Sequence, residues 1–127
     1  MTLQIIEAGE GRLDPESGPA GDMACRFVEA LVCASLGAAV GDLRRPSRGR
    51  AAAALARQTA MYLAHVHLGL SLQRVGTHFG RDRTTVAHAC RRVEDRRDKP
   101  GFERVLVQLE AALQCWKRSV AAEEQAP

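Results

Sequence analysis

Five consecutive residues, Arg81-Asp82-Arg83-Thr84-Thr85, concentrate the side chains of this sequence best suited to reading nucleic acid. An arginine grips guanine O6 and N7 with two hydrogen bonds, and an aspartate accepts from cytosine N4. A threonine packs its methyl on thymine or bonds a phosphate. Two of these residues also have a purely structural use: Asp82 can cap a helix, and Thr85 can satisfy a free backbone N–H. That use leaves the arginines unexplained, because a helix N-terminus disfavours cations. Duplex DNA is the partner that accounts for them.

A second group, Arg44, Arg45, Arg48 and Arg50, lies in the stretch Gly41–Arg50, which Pro46 and Gly49 mark as a loop. A flexible arm of this kind can enter a minor groove, where narrow A·T tracts concentrate negative potential. The charge distribution agrees. Residues 44–104 hold fourteen Lys/Arg against five Asp/Glu, while residues 1–43 hold two against seven, although the formal net charge is only +3. A basic middle between acidic ends points to a polyanion.

The competing class is a protein-interaction module whose arginines meet an acidic surface. It would need an exposed aromatic or aliphatic anchor, and the best candidate, Trp116, is remote from the arginine cluster. An enzyme is not indicated. His65, His67, His78 and His88 form no HExxH pattern and no ligand spacing with the cysteines, so neither a metal nor a cofactor is expected. The few acids of the basic middle look like caps or ion-pair partners, not an acid–base couple. Cys25, Cys33, Cys90 and Cys115 form no CxxC pair, and each sits in an apolar helical context. Reduced, buried cysteines are expected.

The elements that must position these residues follow from periodicity. Hydrophobic residues make up 46% of the chain but aromatics only 4%, a composition suited to closely packed helices and poor for a sandwich. Residues 1–21, rich in Gly and Pro, read as a flexible leader. Asp22 is the expected N-cap of a helix to about Leu36, closed by Gly37. Ala51 to about Leu68 is the strongest helix, ended by Gly69. Ser71 caps a short helix, Leu72–Phe79, and Gly80–Arg83 is a tight connection. A further helix spans about Thr84–Arg97 with Val86, Ala89, Cys90 and Val93 inward. Pro100-Gly101 is expected to break the chain before a last helix, Phe102 to about Lys117, and residues 118–127 to form a frayed tail. The domain proper is therefore 22–117, an all-α bundle. A short helix, a turn and a second helix at 71–97 make a helix-turn-helix, whose second helix enters the major groove. No apolar run is long enough to span a membrane and no secretory signal is present, so a cytoplasmic location is expected.

The run Arg57–Ala64, then Gly69-Leu70-Ser71-Leu72 and Val75-Gly76, then the block Phe79–Arg91, resemble the C-terminal DNA-binding domain of the DnaA family of bacterial replication initiators. The resemblance spans about Asp22–Leu113. It implies a compact helix-turn-helix domain that binds short asymmetric duplex boxes as a monomer, with Asp82, Arg83 and Thr84 at the bases of the major groove. It places Arg57, Ser71, Leu72, Gln73, Arg81 and Thr85 at the backbone or flanking it, with Arg45 nearby, and Arg48 or Arg50 in the minor groove. Three departures stand out. Arg83 replaces the usual His and should favour guanine; Gly80 stands alone where two glycines are usual, shortening the turn by one residue; and His65 replaces a basic residue. No GxxxxGK[ST] phosphate loop occurs in the 127 residues, so the expectation is a free-standing box reader. Such a protein would regulate transcription or replication initiation, with DnaA or another regulator as a further partner. The alternative is a nucleoid-associated binder of low specificity.

Overall fold

The computed structural model describes residues 18–44 and 51–124. Arg45, Arg48 and Arg50, most of the leader and the last three residues lie outside the described residues. The α-helices are α1 (Gly18–Leu36), α2 (Ala51–Val66), α3 (Leu72–Phe79), α4 (Arg83–Arg96) and α5 (Pro100–Glu124), with a 3₁₀ turn at Val40–Arg44. No strand occurs among the described residues, and the all-α reading holds.

The other elements assemble around α2. Ala56, Ala60 and Ala64 recur every fourth residue and are all buried; their small side chains let α1 and α4 pack closely against α2. Met61, Tyr62 and Leu63 fill the adjoining space, and Thr59, also buried, donates its hydroxyl to the Leu55 carbonyl at 2.8 Å. Leu70, Val75 and Phe79 bring α3 onto the same core, joined by Val86 and Val93 of α4 and by Leu106 and Leu113 of α5. Each fully buried large apolar side chain contributes about 1.5–3 kcal/mol.

Several boundaries depart from expectation. Helix α1 starts at Gly18, not at Asp22, because a proline such as Pro19 is tolerated in a first turn, where its missing N–H has no partner to lose. Asp22, no longer a cap, pairs with Arg74 of α3 at 2.8 Å. Helix α2 ends at Val66, two residues early; the His67 and Leu68 amides both fold back to the Leu63 carbonyl, at 2.9 and 3.2 Å, and Gly69 turns the chain at φ 81. Pro100 does not break the chain but opens α5, which continues through residues 118–124. Cys115 is exposed, not buried, lying off the Leu106–Leu109–Leu113 stripe, and Cys90 is half-buried. Trp116 stacks on Phe27 of α1 with ring centroids 4.4 Å apart.

Candidate nucleic-acid interface

The short helix α3 is bounded as its sequence dictates. Ser71 Oγ accepts the Arg74 amide at 3.0 Å, and Gly80 closes the other end at φ 69. The Arg81 amide then reaches back to the Gly76 carbonyl at 2.8 Å, so that only Gly80, Arg81 and Asp82 separate α3 from α4. This tight return presses the Arg81 carbonyl against Gly76, where a β-carbon would lie 2.4 Å from the oxygen. A glycine is therefore needed at position 76 for its size, and at position 80 for its positive φ.

Asp82 is the N-cap of α4. Its Oδ1 accepts the Thr85 amide at 2.9 Å, and that bond holds the carboxyl below the usual carboxylate range. Arg83, Thr84 and Thr85 follow as the exposed first turn. The Arg83 guanidinium has no protein partner among the described residues. Arg81 behaves differently: its Nη1 donates to the Phe79 carbonyl at 3.2 Å and so tidies the end of α3.

A cleft of about 240 Å³ opens between α2 and α4, walled by Arg57, Arg81, Thr84, Thr85, His88 and Arg92. No acidic side chain lines it among the described residues. Burial lowers the Arg57 pKa, and the like charge of Arg81 lowers it further. The like charges of Arg57 and Arg81 at one cleft favour an anion bound between them. The cleft brings together Arg57, Arg81, Thr84 and Thr85 of the residues expected from sequence. Ser71 and Gln73 are exposed at the start of α3, with Leu72 half-buried beside them, and none of the three lines the cleft. His88 and Arg92 were not foreseen as site residues. The signal was there: Thr84, His88 and Arg92 recur at four-residue spacing, one stripe of α4. His65 does not extend the site, since its Nδ1 donates to the Leu70 carbonyl at 2.7 Å.

Two polar clamps fix the pair of helices. At the end of α4, Arg97 spans Glu103 (2.7 and 3.1 Å) and Glu110 (3.0 and 3.2 Å), and donates to the Tyr62 hydroxyl at 2.9 Å. Tyr62 in turn donates to Glu94 at 2.9 Å, tying α4 to both α2 and α5. Burial, then the Glu94 hydrogen bond, push the Tyr62 pKa up to about 12. On the other side, buried Glu29 of α1 takes a hydrogen bond from His78 of α3, next to the Asp22–Arg74 pair. These side chains act as positioning residues: the first clamp fixes the end of α4 against α2 and α5, and the second fixes α3 against α1.

A short capped helix, a tight turn and a second helix with an exposed, cationic first turn define a helix-turn-helix domain of the DNA-binding class. The bacterial DnaA protein helix-turn-helix model matches residues 26–93, more than half of the chain, and the chain belongs to that family. Among its relatives is a chromosomal replication initiator protein DnaA from Crocosphaera subtropica, 42% identical over 64 residues, which are 50% of this chain and 14% of that protein. One from Synechococcus is 34% identical over 106 residues, 82% of this chain and 22% of that protein. One from Mycobacteroides abscessus is 50% identical over 54 residues, 42% of this chain and 11% of that protein. The chain thus spans a small fraction of the length of the curated relatives it matches. Among the described residues, no helix is long and apolar enough to cross a membrane, and no group of three or more His, Cys, Asp or Glu is placed to hold a metal ion.

Proposed function

We propose that this chain binds double-stranded DNA in a sequence-specific manner at DnaA-box-like sites, and so regulates transcription or replication initiation. The observation that carries this reading is the exposed first turn of α4, where Arg83 stands without a protein partner beside Thr84. In this reading Asp82, Arg83 and Thr84 meet base edges. Arg57, Arg81 and Thr85 hold a phosphate at the cleft, and the exposed start of α3, Ser71–Gln73, flanks the backbone. Arg48 or Arg50 enters the neighbouring minor groove, with Arg45 close by. The named activity of the relatives, chromosomal replication initiation, supports a place in replication control. The stacking of Trp116 on Phe27 takes away the best anchor for a purely protein-docking module.

Arg83→Ala tests the reading. It should cost about 1–3 kcal/mol on the preferred duplex and much less on random DNA, as a base reader does. Equal losses on both duplexes would make Arg83 a phosphate contact and overturn its assignment.

A further inference from the structure

A second groove, of about 450 Å³, continues along α4 away from its first turn, between that helix and the N-terminal half of α2. It shares Gln58, His88 and Arg92 with the first cleft, so the two form one track. Its far wall carries Arg91, Arg96 and Lys99, with Asp95 the one carboxylate lining it among the described residues. None of Arg91, Arg92, Arg96 and Lys99 has an acidic partner among the described residues. The contrast with the adjacent Arg97, gripped by Glu103 and Glu110, is sharp. Arg96 instead lies over Phe102, its guanidinium carbon 5.7 Å from the ring centre.

We propose that this groove, and Arg96 and Lys99 in particular, form a second phosphodiester site for the same duplex. The inference rests on the reading of α4 given above. Arg96 lies twelve residues beyond Thr84, roughly 18 Å along the helix axis, whereas a major groove is only about 12 Å wide. A helix whose first turn meets base edges therefore carries its last turn out over the groove's rim. The groove also separates α4 from the end of α2 that joins the arginine loop. A major-groove helix and a minor-groove arm are divided on DNA by one sugar–phosphate strand, and a cationic groove between them fits that strand.

The test is a salt series with the full chain, comparing it with the variant Arg96→Gln/Lys99→Gln on a DnaA-box duplex and on its scrambled counterpart. Loss of two phosphate contacts should lower the slope of log affinity against log salt by about 1.8. At 0.15 M salt that amounts to about a thirtyfold loss, taking the contacts as worthless at 1 M. The loss should be equal on both duplexes, and Arg96→Lys/Lys99→Arg should restore the slope. An unchanged slope in a folded variant overturns the second site and leaves the first intact, and is the result expected of a groove for an acidic protein. Absence of any DNA binding by the unaltered chain would instead bring down the reading of α4 itself.

Discussion

Gly76→Ala isolates the physical demand that the short turn makes on the sequence. In an ordinary helix interior the change from glycine to alanine stabilises by about 1 kcal/mol. Here the new β-carbon would sit 2.4 Å from the Arg81 carbonyl oxygen, far inside van der Waals contact. The opposing atom is backbone, tied by the 2.8 Å bond from the Arg81 amide to the Gly76 carbonyl, so it cannot rotate away as a side chain would. Overpacking of this kind costs about 1–3 kcal/mol, and with a rigid neighbour the upper part of that range applies. After the helix gain is subtracted, the net loss should be about 1–2 kcal/mol. For a domain of this size that corresponds to a fall in Tm of roughly 4–16 °C. Thermal and urea unfolding followed by circular dichroism give the number directly. Because the turn must open, the displaced Arg81–Arg83 segment should also lose sequence preference in binding. A Gly76→Ala protein as stable as the original, or more so, would refute the close approach and with it the reasoning about the shortened turn.

Other outcomes follow from the same geometry. The Asp82 carboxyl is held below its usual range, so its contribution to stability is present at neutral pH and is lost as the pH falls through that depressed value. Asp82→Asn, which caps without titrating, should remove this part of the acid-dependent fall in Tm. Tyr62 is the sole tyrosine, so an ultraviolet titration reads it alone; the midpoint should be about 12 in the folded protein and near the ordinary value of about 10 once unfolded. Its contribution is accordingly intact below about 10 and lost as the pH rises through the folded value. Tyr62→Phe should cost about 1–2 kcal/mol in urea unfolding, because it strips one partner from both Glu94 and Arg97.

The elements bearing the candidate site were the most legible in the sequence. Ser71 and Gly80 punctuate α3 so strongly that its limits follow from two residues, and the Asp82 cap defines α4 to within one residue at each end. Gly18, Pro19 and Pro100 were read as breakers because composition does not reveal whether a proline falls in a first turn, where it is harmless, or in an interior, where it is not. The clamps were illegible for a different reason. Glu29 and His78 are far apart in the chain, as are His67 and Glu110, whose 2.8 Å contact bridges α5 to the residue following α2. Only tertiary packing tells such a pair from solvated charges. The stripe Thr84–His88–Arg92 lies between these cases: its spacing was visible, but which face of α4 stays open depends on how α2 and α3 cover the others.

The most direct measurement is a titration of the purified chain into two labelled duplexes, one with a DnaA box and one with the box scrambled, across salt concentrations near physiological strength. The account predicts preference for the box, approaching about a thousandfold as for specific DNA readers, with affinity on both duplexes falling steeply with salt. Equal affinity for the two duplexes, or no binding to either, would contradict it.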